Sequence, residues 1–384
     1  MLHYLVLNLI YNKFLFIRNF MCGSDDIKIL GIETSCDDTA IGVVTSKKDI
    51  LSNVVINQNS NLNSYGGVVP EIAARDHLSN LEHAINRALE ESKLNLKDID
   101  LIAATGGPGL IGGVIVGTVF AKSLAMSLEK PYVAVNHLEG HALTARLTDN
   151  IEYPYLLLLV SGGHTQIIAV IGYGKYTRIS STLDDAAGET FDKAAKILGI
   201  GFPGGPMIEK MSKDGDPTSF YLPRPMHKSK NPNFSFSGLK TAFNQIVMKN
   251  KLNQKIISDL SASIQKSITD CLIDRTRLGI TKFKEILGNM SNIQLVVSGG
   301  VASNLYIREE LKKLCLETDS TFFAPPLNLC TDNGAMIAWA GYEKYNNEGE
   351  SNLNFKPRPR WPLDPNAHLI NPIHQNIGKS GAKA

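Results

Sequence analysis

The chain reads as an α/β protein made of two copies of one βββαβαβα-type unit. ILGIETSCDDTAIGVV and LLLLVSGGHTQIIAV each consist of an apolar strand, a small polar turn and a second apolar strand, and helices and further strands follow both. The repeat lies in the pattern rather than in identity, and it places the two turns facing each other across a cleft. Size agrees, because 384 residues are long for one core and suit two domains.

The first unit opens with IKILGIETSCDDTAIGVVTSKKDILSNVVINQ, three β-branched runs split by short turns, which predicts a β-meander. Its first turn, Glu33 to Thr39, is rich in Ser, Thr and Asp. Such a turn can present N–H groups and hydroxyls to an anion, while Asp37 and Asp38 could serve a metal or a proton. A plain hairpin turn is the alternative. VVPEIAARDHLSNLEHAINRALEES follows with apolar residues at helical spacing through Ile72, Leu78, Leu81, Ile85 and Leu89. His77 and His83, six apart on this helix, cannot share a metal on one face and are surface or packing residues.

Strand LIAAT then enters GGPGLIGGVIVGTVFAKSLAMSL. Gly107, Gly109 and Gly112 satisfy GxGxxG, but a dinucleotide fingerprint belongs to the first βα turn of a parallel unit, and no acid ends a second strand about 20 residues on. A glycine turn that lets a helix pack tightly, near a ligand or not, is the better reading. Strand PYVAV leads into NHLEGHALTARL, where His137 and His141 stand at i and i+4 on one helix face, close enough to hold one metal ion. Two ligands bind poorly, so a third must come from elsewhere; a pair of partly exposed helix histidines is the other reading. In HExxH proteases the acid directly follows the first histidine. Here Glu139 lies about 200° around the helix from His137, badly placed to activate a metal-bound water.

In the second unit, KYTRISSTL continues the strands and DDAAGETFDKAAKILG forms a helix on which Asp192 and Lys196, at i and i+4, could make an exposed ion pair. Residues 201–235 are Pro-, Gly- and Asn-rich, an inserted loop suited to line a ligand, and carry Arg224, His227, Lys228 and Lys230 together. Helices over roughly 237–249 and 257–285 precede a strand–SGG–helix arrangement fit for a nucleotide sugar and phosphate. Asp332 falls near the first turn of a last helix, where a carboxylate is favoured merely as a cap. The boundaries are therefore 27–150 for the first lobe, with the helix near 331–346 free to pack back on it, 151–346 for the second with its insert 201–235, and 347–384 for a polar tail. That tail bears Lys356, Arg358 and Arg360 between prolines, beside Trp361.

Composition is ordinary for a soluble protein at 43% hydrophobic and 20% charged residues, and a net charge of +2 means that any polyanion site is a local patch. Five scattered cysteines without a CxxC pair read as reduced thiols. Residues 1–26 are apolar and interrupted by Asn8, Asn12 and Lys13. The first reading is a disordered or over-long N-terminal extension with Met21 as a second start, the next an organellar targeting peptide, the third a membrane anchor. The expected location is the cytoplasm, or the mitochondrion if residues 1–26 are a targeting peptide.

Taken together, GIETSCDDTA, GGVVPEIAARDH, GPGLIGGVIVG, NHLEGHALTARL, LVSGGHTQ, DDAAGETFDKAAKILG, FPGGP, FSFSGLKTA, SGGVASN and LCTDNGAMIAWAG resemble, in order over roughly residues 28–362, the TsaD family of tRNA adenosine threonylcarbamoyltransferases. The family has close organellar relatives and was once labelled an endopeptidase. The resemblance implies an actin-like (ASKHA) fold of two RNase H-like lobes, with mixed five-stranded sheets and a central cleft. It implies one divalent metal, Fe(2+) before Zn, on His137, His141 and Asp332. It implies threonylcarbamoyl-AMP on Leu159, Val160, Ser161, Gly162, Gly163, Asp192, Gly205 and Asn304. The activity implied is transfer of the threonylcarbamoyl group to N6 of adenosine 37 in tRNAs reading codons that begin with A, with release of AMP. Such an activated acyl phosphate needs no nucleophilic residue, only alignment, charge stabilisation and removal of a proton, for which Asp37 is the candidate. The implied partners are tRNA, with TsaB and TsaE in a bacterium or a second copy in an organelle, and no membrane. Three other classes remain: a metalloendopeptidase, which chelator-sensitive cleavage of a protein would reveal; an ASKHA-fold kinase, which would phosphorylate a small alcohol or acid with ATP; and a non-catalytic scaffold like TsaB, which lacks the metal residues.

Overall fold

The computed structural model describes residues 26–57, 68–288 and 290–367. The expectations for residues 1–25 fall outside these. Strands β1 (Lys28–Glu33), β2 (Thr39–Thr45), β3 (Ile50–Ile56), β4 (Leu101–Gly107) and β5 (Tyr132–Asn136) form one mixed sheet in the order β3-β2-β1-β4-β5. Strands β6 (Tyr155–Val160), β7 (Thr165–Gly172), β8 (Lys175–Ser181), β9 (Ile293–Ser298) and β10 (Ser320–Phe323) form a second. Read from β8, its order β8-β7-β6-β9-β10 repeats the first. In each sheet the opening strand pairs antiparallel with the next and parallel with the fourth. The duplication seen in the strand–turn–strand pattern is thus a duplication of topology.

Both faces of the first sheet are covered, which explains its almost continuous apolar strands. Leu30 and Ile32 of β1 face α1 (Pro70–Ser92) and α2 (Ile111–Leu128). Ile29, one step round the pleat, packs with Ala335 to Ala340 of the last helix, here α9 (Gly334–Glu348). The chain therefore returns to its first sheet at the end. Glycines make that return possible: a Cβ on Gly31 would lie 2.2 Å from the Gly334 carbonyl oxygen, and one on Gly42 would lie 2.3 Å from the Ala335 nitrogen. Only hydrogen atoms separate the α9 N-terminus from the β1 and β2 backbones.

Helix α3 (His137–Thr148) stands between the lobes. Leu138, Ala142 and Ala145 pack with Tyr155, Leu157 and Leu159 of the second sheet, while Leu143 and Leu147 join the α9 cluster. The other face of the second sheet packs on α4 (Ala187–Leu198), α6 (Ser237–Lys249), α7 (Gln254–Ile286) and α8 (Leu305–Glu317). Within 201–235, read from the sequence as a loop, α5 (Gly204–Ser212) follows Pro203 and packs on α7 through buried Ile208. All four described cysteines are free thiols.

Candidate metal centre and substrate cleft

Strand β5 runs straight into α3, and the Asn136 side chain caps the helix by accepting from the Leu138 nitrogen at 2.9 Å. The cap fixes where the first turn begins, so His137 and His141 face the cleft together with ring centroids 4.8 Å apart. Asp332 arrives just before the Asn333 cap of α9. Its Oδ1 lies 3.1 Å from His141 Nε2 and 3.6 Å from His137 Nε2. One ligand atom from each residue falls within 4.8 Å of the others. The side chains of His141, His137 and Asp332 are 1%, 10% and 25% exposed, so the cluster is open only on the carboxylate side.

The donor set fits a divalent metal. Two imidazole nitrogens and one carboxylate oxygen suit iron or zinc and leave positions for another ligand. The surroundings also prepare His137 for that role. Its Nδ1 donates to Glu33 Oε2 at 2.9 Å, which leaves Nε2 as the free lone pair. Glu33 is wholly buried at the end of β1 and accepts from Thr105 Oγ1 and the Ser35 nitrogen, each at 2.5 Å. Burial alone would raise the Glu33 carboxyl, but His137 and the Ser35 hydrogen bond hold it low. Burial would likewise lower His137, and the carboxylates of Glu33 and Asp332 outweigh it, lifting the imidazole to about 9. Burial opposes the Asp332 charge too, yet His137 and His141 hold its carboxyl far below the usual range. Two carboxylates thus brace one histidine, and a proton and a metal compete for the same nitrogen.

Glu139 points away from this cluster. It is buried and accepts from the Tyr176 hydroxyl at 2.7 Å, on the second lobe. Burial raises its carboxyl to about 7, and no geometry brings it to a metal-bound water. The protease arrangement is absent.

The other predicted residues divide between the two turns. Leu159 and Val160 end β6, and Ser161 to Gly163 make the turn that closes on itself through Ser161 N to the His164 carbonyl at 2.8 Å. The α4 N-terminus presses on this turn, because a Cβ on Gly188 would meet the Ser161 carbonyl at 2.6 Å. Asp192 makes no ion pair with Lys196; its Oδ1 accepts from the Gly204 nitrogen at 2.7 Å and so holds the start of α5 beside α4. Asn304 caps α8 and donates to Gln265 at 2.9 Å. Gly162 and Gly205 are different: a Cβ on either would meet nothing within 4 Å, so neither glycine is required by packing. Burial raises the Asp192 carboxyl against the Gly204 hydrogen bond, and the charges of Glu189 and, across the cleft, Asp37 add to that rise. Burial, then Asp37, raises the neighbouring Asp38 to about 7, and Asp38 Oδ1 accepts from Asn57 at 2.8 Å.

Two residues escaped sequence reasoning. Glu33 reads as a strand-end residue, although a carboxylate closing a buried apolar run is a signal. His164 follows the second turn; its Nε2 is buried without a partner, and the charges of His137 and His141 add to burial in lowering it to about 4.

A two-lobed actin-like fold with a buried His–His–carboxylate centre at the cleft defines the class of protein. The likeness to solved structures shows the same fold: HypF of T. kodakarensis aligns with a TM-score of 0.54 at 15% identity, over 84% of this chain and 48% of that one. HypF in its phosphate- and nucleotide-bound form aligns with a TM-score of 0.53 at 13% identity, over 85% and 56%. The sequence pattern of tRNA N6-adenosine threonylcarbamoyltransferase (TsaD) matches residues 49–339. Relatives of that name from Rickettsia rickettsii (strain Sheila Smith) and Rickettsia bellii (strain OSU 85-389) are each 54% identical, over 88% of this chain and 98% and 99% of theirs. The chain belongs to the tRNA N6-adenosine threonylcarbamoyltransferase family, and it is a transferase that modifies tRNA.

Proposed function

We propose that the chain takes threonylcarbamoyl-AMP as donor and passes its acyl group to N6 of adenosine 37 in tRNAs reading codons that begin with A. The observation that carries this reading is the convergence of three ligand atoms, within 4.8 Å of one another, beside a glycine turn open to a ligand. The amine of adenosine attacks the carbamoyl carbon, the bond to the AMP oxygen breaks, and one amine proton is removed. A splayed base in an anticodon loop can present that amine.

His137, His141 and Asp332 would hold the ion, iron(II) first and zinc second. When bound there, a divalent ion supplies positive charge to a carbonyl or phosphate oxygen. Leu159 to Gly163, Asp192, Gly205 and Asn304 would bind and orient the donor. Asp37 is the candidate for the proton, and Asp38 competes for the role because its raised carboxyl suits exchange near neutral pH. Asp37→Asn and Asp38→Asn should separate them: the variant that loses at least about 100-fold in transfer, with metal content unchanged, marks the group that handles the proton. Near-normal transfer by Asp37→Asn would remove Asp37 from the mechanism.

TsaB and TsaE are the proposed partners in a bacterial cytoplasm. Helix α2 supports a docked partner, because Ile111, Ile115, Val119 and Met126 form an exposed apolar stripe along it. A second copy on the same stripe is the organellar alternative. The deciding experiment supplies unmodified tRNA and threonylcarbamoyl-AMP, with and without TsaB and TsaE. Modified adenosine should form in at least one combination, and its absence from all of them would refute the reading.

A further inference from the structure

We propose that the segment 351–367 is the surface on which the tRNA backbone docks, and that it contacts phosphates rather than bases. The inference rests on tRNA being the substrate. This segment leaves α9 and runs as a strap along both lobes. Ser351 N donates to the Tyr132 carbonyl at 2.7 Å, Arg358 N to the Gly106 carbonyl at 2.8 Å, and Arg178 N of the second lobe to Asp364 Oδ2 at 2.9 Å. Asn136, the residue that caps α3, also donates through Nδ2 to the Trp361 carbonyl at 2.9 Å. The strap therefore lies one residue from the first metal ligand, His137.

Because the strap is held through its backbone and Asp364, its cations are free to face solvent. Lys356, Arg358 and Arg360 are exposed, and among the described residues none of them has a carboxylate partner. Lys356 and Arg358 line a groove of about 620 Å³ together with Lys344, Asn352 and Phe355, with the acids Glu348 and Glu350 at its α9 end. The other basic cluster is in a different state. Arg224 pairs with Asp270 at 2.8 Å and His227 faces Asp274 at 3.3 Å, so two of its four residues find a carboxylate within the fold. Of the two clusters, only the strap has every one of its cations without a carboxylate partner among the described residues, and only the strap adjoins the metal helix.

The aromatic residues of the strap explain why it would read phosphate. The Trp361 ring carries Arg358 at 4.8 Å and Lys344 at 5.4 Å, and Arg358 also lies 5.2 Å from Phe355. These faces are occupied, so they offer no platform for a stacked base. Exposed Lys and Arg without base-edge partners give charge-driven, salt-dependent binding.

The test uses the full-length protein with its partners, unmodified tRNA, and the double variant Lys356→Ala/Arg360→Ala. Neither side chain makes an ion pair or hydrogen bond among the described residues, and Arg358 stays in place to keep the Trp361 stack. The KM for tRNA should rise about tenfold while kcat stays within about twofold, equally for different tRNAs, and the slope of log affinity against log salt should shrink by about 1.5. The charge-conserving Lys356→Arg/Arg360→Lys should restore both. Lys228→Ala/Lys230→Ala should change neither. Unchanged KM and slope in the strap variant, or their change in the 228/230 variant instead, would overturn the assignment while leaving the transferase reading intact. Failure of the unaltered protein to modify any tRNA would instead strike that reading, and direct tRNA binding by the two double variants would still decide between the clusters.

Discussion

Asp332→Ala is expected to empty the metal centre without unfolding the chain. Metal content should fall from about one ion per chain to near none, and transfer by at least about 100-fold, with little recovery in excess metal. The reason is that Asp332 supplies the only anionic ligand of the three and the only one that is not on α3. Glu33→Gln makes the informative comparison. It keeps all three ligands but removes the carboxylate that fixes the proton on His137 Nδ1. Metal affinity should drop about 10–100-fold, and saturating metal should restore occupancy. Acidity acts on the same nitrogen: His137 is held up to about 9, so loading must expel a proton and weakens as pH falls below that value. Metal analysis after dialysis against a series of chelator concentrations and pH values checks all three outcomes. An Asp332→Ala chain that keeps its ion at full affinity would sink the assignment.

Gly334→Ala should be strongly destabilising although it adds only one methyl group. The added Cβ would lie 2.0 Å from the Gly42 nitrogen and 2.2 Å from the Ile41 carbonyl carbon. Both are strand backbone, so no side chain can rotate away and α9 must lift off the sheet. Overpacking costs about 1–3 kcal/mol, and a site walled by strand backbone belongs at the upper end. The displacement would also carry Asp332, two residues earlier, away from the histidines, so metal affinity should fall with the melting temperature. Gly238→Ala is the control, because a Cβ there meets nothing within 4 Å and sits in the first turn of α6, where alanine is favoured over glycine. Melting curves of the two variants beside the unaltered chain test the argument, and equal melting temperatures would contradict it.

Much of the architecture is legible in the sequence because alternation of apolar strands and polar turns is a local signal, and it recurs in both halves. The i, i+4 spacing of His137 and His141 is local as well, and so is the misplacement of Glu139. Asp332 is not, since it meets His141 across 191 positions of chain. Spacing offers no hint of that meeting; the resemblance to a family supplied it. Helix α9 shows why. GAMIAWAGYEKYNNE is apolar almost all round its first turns, which says that it is buried but not against which sheet. The basic cluster at 224–230 shows the same limit. The carboxylates that meet Arg224 and His227, Asp270 and Asp274, lie on α7, more than forty residues on. Charges counted along a chain become a surface only after their partners are known.

The return of α9 to the first sheet also bears on how the protein is made. Five strands and two covering helices of the first lobe leave the ribosome early, yet the glycine-lined face of β1 and β2 has no cover until residues 334–348 emerge. The second lobe, whose strands and helices all fall between residues 155 and 323, can close before that point. The half synthesised first is therefore finished last, and the docking of one late helix completes its core and brings Asp332 to His137 and His141 in a single event.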